Sequence, residues 1–215
     1  MSDGSPSPLA LGAAYARADE LARGGERRML GIAGPPGCGK STIARAIAER
    51  VGDRACLVGM DGFHLAQGVL EGLGRADRKG ALDTFDVAGY VALLQRLRAR
   101  PPEPVYAPVF DRELEQPIAA AVELPSSASL VITEGNYVLA RVGGWGAVRG
   151  LLDEVWYVDT PAAIRIPWLI ERHVRHGRSP EAARAWVMRS DERNAELVRA
   201  TRALADRTVQ YPSED

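Results

Sequence analysis

Gly34-Pro-Pro-Gly-Cys-Gly-Lys-Ser41 fits G-x-x-x-x-G-K-[ST], the pattern of a phosphate-binding loop. An apolar run, Met29-Leu-Gly-Ile-Ala33, precedes it, and a helical pattern from Thr42 to Val51 follows it. That strand–loop–helix order is the context in which the motif carries meaning. Gly34, Pro35, Pro36, Gly37, Cys38 and Gly39 let the backbone curl, so that successive N–H groups point inward at a polyphosphate. The helix opening at Lys40, Ser41 and Thr42 adds its positive end. Lys40 reaches the outer phosphates of a nucleotide such as ATP, and the Ser41 hydroxyl is placed to hold Mg²⁺.

Composition sharpens this reading. Of 27 basic residues only Lys40 and Lys79 are lysines, and the rest are arginines. A chain biased this way keeps lysine where a compact, mobile ammonium is needed. At 215 residues the length suits one domain. A net charge of −1 gives no broad pull toward nucleic acid or membrane. Two cysteines, Cys38 and Cys56, make no disulfide framework and fit a reducing, cytoplasmic setting. No apolar stretch approaches the ~18–20 residues of a membrane span, and Met1 to Pro8 lacks the pattern of a secretory signal.

The periodicities alternate. Leu9 to Arg23 predicts an amphipathic helix, stopped by Gly24-Gly25. Arg28 to Ala33, Ala55 to Met60, Ser129 to Thr133 and Glu154 to Val158 predict buried strands, and Thr208 to Gln210 a last edge strand. Asp86 to Arg98 predicts a helix closed by the prolines that follow. Val105 to Phe110 and Pro117 to Leu124 predict a hairpin-like insertion, and residues 65–82 a mobile loop with a short helix. Ala162 to Arg175 and Pro180 to Ala205 predict helices. Strands alternating with helices give an α/β fold, a parallel sheet flanked by helices, whose ligands gather at the carboxyl ends of the strands.

Three features separate transfer from hydrolysis or switching. Asp61 follows a strand, where a carboxylate beside the terminal phosphate can accept the proton of an incoming hydroxyl. Glu134 ends the apolar run Leu130-Val-Ile-Thr-Glu134, the setting of a metal-positioning carboxylate opposite Ser41. Arg165, Arg172 and Arg175 share one helical face by spacing, and arginines neutralise charge that builds on a transferring phosphoryl group. Gly177 lets such a segment flex as a lid. Neither lysine is followed two residues on by aspartate, so a guanine-reading [NT]-K-x-D element is absent, and no Ser-Gly-Gly signature of a transport ATPase occurs.

The phosphate loop, Asp61-Gly-Phe-His64, Arg78-Lys-Gly-Ala-Leu-Asp-Thr-Phe-Asp86, Tyr106 to Arg112, Ile132-Thr-Glu-Gly-Asn-Tyr137 and the arginine-rich helix occur in an order that resembles the phosphoribulokinase/uridine kinase/bacterial pantothenate kinase family. The likeness spans Arg28 to Arg207. It implies a P-loop kinase that phosphorylates a hydroxyl of a small metabolite with ATP and Mg²⁺. It also implies Asp61 as general base, Glu134 as metal partner, and Arg172 and Arg175 as lid arginines. On this reading residues 9–215 form one kinase domain after a flexible start at 1–8. Residues 65–82 and 100–125 are acceptor-side insertions, and residues 165–190 are the lid. The chain is most similar to a short bacterial group whose members include fructokinases. That makes a sugar or polyol, or a pantothenate-like compound, the expected acceptor, with a nucleoside as the alternative.

His64, Lys79, Asp83, Tyr106, Arg112, Asn136 and Asn194 are the residues expected to shape the acceptor pocket. Each has a structural alternative. Arg112 could pair with Glu113 or Glu115 on its hairpin, and the four tryptophans read most simply as core or interface anchors. A homodimer stays open.

Overall fold

The computed structural model describes residues 6–211. Its centre is β2 (Arg28–Ala33), a strand whose alternate residues turn to opposite faces. Leu30 and Ile32 join one apolar cluster and Met29 and Ala33 the other, all almost fully buried. Two-sided burial is what a parallel sheet demands. The sheet is six-stranded and parallel throughout, in the order β1 (Ser7–Leu9), β8 (Arg207–Gln210), β7 (Glu154–Asp159), β2, β6 (Leu130–Gly135), β3 (Ala55–Gly59). On one face lie α1 (Leu11–Arg23) and α2 (Lys40–Val51), with Ala14, Ala18, Ile43 and Ile47 against the sheet. On the other lies α4 (Val87–Arg98), which follows the short α3 (Gln67–Gly72). There Tyr90 joins an aromatic cluster with Phe63, Phe85, Tyr137 and Trp145. Asp86 caps α4, accepting from the Gly89 N–H at 2.9 Å. Among the described residues no helix is long and apolar enough to cross a membrane.

Register sets the site. Glu134 on β6 pairs with Ile32 on one side and Gly59 on the other. Its carboxylate therefore stands between the loop after β2 and the turn after β3 that carries Asp61. An antiparallel hairpin, β4 (Val105–Asp111) with β5 (Gln116–Leu124), folds over that turn. The approach is close: a Cβ on Gly62 would overlap the Pro108 carbonyl, so only glycine fits there.

Four expectations need correction. Ser7 and Pro8, read as part of a frayed start, belong to a strand paired in parallel with β8, and the helix begins at Leu11. The Thr208–Gln210 strand is consequently not an edge; β1 covers it. Residues 65–82 hold the expected short helix, α3, but the stretch is tied down and not loose. The Gly80 carbonyl accepts from the Tyr137 hydroxyl at 2.8 Å, and Trp145 Nε1 donates to the Leu82 carbonyl at 3.1 Å. The helix expected from Pro180 to Ala205 is interrupted. After α5 (Ala162–Arg175), Ser179 caps α6 (Pro180–Trp186). A π-helical turn at Val187–Asp191 follows, then α7 (Glu192–Arg199). A π turn widens the helix by one residue and is frequent beside functional sites.

Candidate active site

The loop from Gly34 to Gly39 adopts the curl its glycines allow, with φ of 78° at Gly37 and 89° at Gly39. Lys40 is buried and its ammonium donates to the Pro35 carbonyl at 3.1 Å, inside the curl. The loop is braced from below. Arg165, 1% exposed, lies within 2.6 Å of Glu192 on α7 and donates to the Pro36 carbonyl. The Thr160 hydroxyl donates to the Cys38 carbonyl at 2.8 Å. Cys38 is fully buried, and burial pushes its thiol up from the ordinary value, so it is a packing residue and not a thiolate.

A cavity of about 530 Å³ opens at the loop's mouth and takes in Lys40, Ser41, Asp61, His64, Lys79, Arg112, Glu134, Asn136, Arg172 and Asn194. The Ser41 hydroxyl donates to Glu134 Oε1 at 3.0 Å. Arg112 reaches across from the hairpin to Asp61 Oδ2 at 3.2 Å. His64 Nδ1 is 2.8 Å from the Asp61 carbonyl oxygen, and its ring packs on Phe85 and Phe110. Asn194, buried, donates to the Gly80 carbonyl at 3.3 Å, and so ties α7 to the wall opposite the loop.

The two carboxyls titrate apart. Burial alone would raise Asp61, but His64, Arg112, Lys40 and Arg172 outweigh it and hold it below the ordinary aspartate value. Glu134 is pushed up by burial and by the neighbouring Asp61 charge, against the pull of Lys40 and the Ser41 hydrogen bond. One buried acid thus carries excess negative potential beside a hydroxyl, a hard-oxygen set that suits a divalent cation. Among the described residues no group of three or more His, Cys, Asp and Glu side chains is arranged to hold a metal alone.

Other expected residues lie elsewhere. Tyr106 is 55% exposed and its hydroxyl donates to Glu123, because Val105 and Ala107 take the inward positions of β4. Asp83 pairs with Arg78 at 2.9 Å, outside the cavity. Arg172 lines the cavity, and together with Arg175, which pairs with Glu171 at 2.7 Å, it also lines a second cavity beside the phosphate loop; Arg165 is buried under the loop and lines neither. Arg112 pairs with Asp61 and not with its hairpin neighbours. Trp145 and Trp156 are core residues, whereas Trp168 is 38% exposed and Trp186 packs under the Arg178 guanidinium. The sequence reading did not single out Gln67, His173, Asp191 and Trp186 as cavity residues. His173 and Asp191, 2.9 Å apart, come together only through the helical interruption.

Residues 29–214 match the Phosphoribulokinase / Uridine kinase family. The chain belongs to that family. A candidate uridine kinase of Schizosaccharomyces pombe is 31% identical over 175 residues, 76% of this chain and 73% of the relative. The pantothenate kinase of Enterococcus faecalis is 30% identical over 151 residues, which cover 67% of this chain but only 48% of that enzyme. The crystal structure of a candidate fructose transport system kinase from Silicibacter sp. TM1040 superposes with a TM-score of 0.83 at 34% identity. That alignment covers 94% of this chain and 98% of the other. The protein is thus a nucleotide-binding P-loop kinase, and kinship on this scale indicates phosphotransferase activity.

Proposed function

We propose that this kinase transfers the γ-phosphoryl group of ATP to a hydroxyl of a small polar metabolite, a sugar or polyol or a pantothenate-like compound. The observation that carries this reading is the convergence of Asp61, Glu134, Ser41, Lys40 and Arg172 on one cavity at the loop's mouth. The Gly37–Lys40 backbone and the Lys40 ammonium hold the phosphates. Ser41 and Glu134 are the residues that would hold Mg²⁺, which neutralises phosphate charge when bound. Asp61 accepts the acceptor's proton. A carboxylate kept ionised by its neighbours is suited to this, since a loose transition state asks for alignment more than for a strong base. Arg112 holds Asp61 in place at 3.2 Å, and Arg172 faces the same space as a charge-stabilising lid residue.

The Phe110 and His64 rings at the acceptor end favour a second reading, a nucleoside whose base stacks there. Likeness to the candidate uridine kinase agrees with it. A coupled assay of ADP release over sugars, polyols, pantothenate and nucleosides decides between them. Turnover that rises with one acceptor and falls in Lys40→Ala together with nucleotide affinity supports the kinase reading. ADP release indifferent to every acceptor, or full ATP affinity in Lys40→Ala, overturns it.

A further inference from the structure

Two carbonyls of the phosphate loop are held from outside it. The Pro36 carbonyl accepts from Arg165 Nη1 at 3.3 Å, and the Cys38 carbonyl accepts from the Thr160 hydroxyl at 2.8 Å. Both donors follow β7 in the chain, and both are buried. Arg165 is itself fixed. Its Nη2 donates to Glu192 Oε2 at 2.9 Å, while Glu192 Oε1, 2.6 Å from Nη1, is buried and accepts no hydrogen bond. Nη1 thus makes its hydrogen bond with the loop and only a charge contact with the acid. The Pro35 carbonyl turns the other way and accepts from the Lys40 ammonium inside the curl.

A peptide unit is planar and trans, so its C=O and the N–H of the next residue point to opposite sides. A carbonyl anchored beneath the loop therefore aims the following N–H into the curl. Pro36 is followed by Gly37 and Cys38 by Gly39. Among the described residues neither glycine N–H has a partner in the protein, whereas the Cys38 N–H between them is taken by the Pro35 carbonyl at 3.2 Å. We propose that Arg165 and Thr160 are positioning residues for phosphate binding: each clamps one peptide of the loop, so that the Gly37 and Gly39 N–H groups face the polyphosphate before it arrives. The role rests on the phosphate-loop reading above. Glycine permits the positive φ at both positions but does not choose which way a peptide turns; the clamps choose. A donor fixed in advance costs no reorganisation when the anion binds. Neither clamp belongs to the motif, since they stand 129 and 122 residues from the carbonyls they hold.

The test is titration of the full chain with inorganic tripolyphosphate, followed by calorimetry and by the Gly37 and Gly39 amide signals in nuclear magnetic resonance spectra. Thr160→Val keeps the shape and removes the hydroxyl. Arg165→Lys keeps the charge beside Glu192 and removes the fork. Each should bind tripolyphosphate about 10-fold more weakly, the scale of one hydrogen bond to a charged group. Both amide signals should move on binding in the parent. In Thr160→Val the Gly39 response should shrink while that of Gly37 persists, and in Arg165→Lys the reverse. Thr160→Ser retains the donor and should match the parent. Either of the first two variants decides its own clamp. Unaltered affinity in both would overturn the assignment and leave the loop reading intact. So would both amide responses vanishing together in either one, which would mean a general brace and not an aimed donor. A parent protein that binds no tripolyphosphate would overturn the loop reading and the clamps with it.

Discussion

In the mechanism proposed above, transfer turns on Asp61. It is a half-buried carboxylate held ionised by His64, Arg112, Lys40 and Arg172 against its own burial. Asp61→Asn keeps the shape and removes the proton acceptor. Turnover should fall by about 100-fold or more, with nucleotide affinity nearly intact in an equilibrium titration. A variant that still transfers at the parent rate would strip Asp61 of its role. The positions of Asp61 and Glu134 were legible in the sequence because each closes or follows a strand, and strand ends are where a parallel sheet collects chemistry; Ser41 was legible from the loop motif itself. Arg112 was legible as a candidate but not in its partner, since the hairpin brings it to an acid 51 residues away. Tyr106 was misplaced although Val105 and Ala107 flank it: the period-two alternation that turns it outward was present and was outweighed by family likeness.

The stretch that resisted prediction is the helical one after Pro180. From Pro180 onward the sequence reads as one amphipathic run, and periodicity cannot register a single extra residue in the helical ladder. The π turn at Val187–Asp191 is that extra residue. Asp191, its last residue, meets His173, and Asn194 just beyond it meets Gly80. Deleting Ser190 should restore a plain α-helix and displace the residues of the widened turn, Asp191 among them, from their present contacts. Circular dichroism should then report unchanged helix content while transfer collapses. Retained transfer would mean that the orientation of Asn194 and Asp191 is immaterial. Strands β2, β3, β6 and β7, by contrast, were readable almost to their ends, because they are short apolar runs bounded by polar or glycine residues.

At the scale of the molecule, one buried acid joins three elements. Glu154, at the start of β7, accepts from Arg17 on α1 at 3.0 Å, from Arg207 on β8, and from Trp156 Nε1 at 2.8 Å. Burial would raise its carboxyl, but these hydrogen bonds win and hold it below the ordinary glutamate value of 4.5. A depressed acid contributes stability above its unfolded value and loses that contribution as pH falls through the folded one. Glu154→Gln should therefore cost about 3 kcal/mol near neutrality. In urea titrations its gap to the parent should narrow as pH drops from 7 toward 3. A gap that does not change with pH would show that the charge contributes nothing.

The strand Ser7–Leu9 has a consequence for association between copies. It covers the outer N–H and C=O groups of β8, the one flank of the sheet closed by residues from the far start of the chain. Removing residues through Leu9 would bare a row of unpaired groups that any extended peptide could template upon. The shortened protein should self-associate with rising concentration in light scattering, and a short peptide spelling Ser-Pro-Leu in its native flanks should suppress that growth. A truncated chain that stays monodisperse would mean the flank is guarded by some other device.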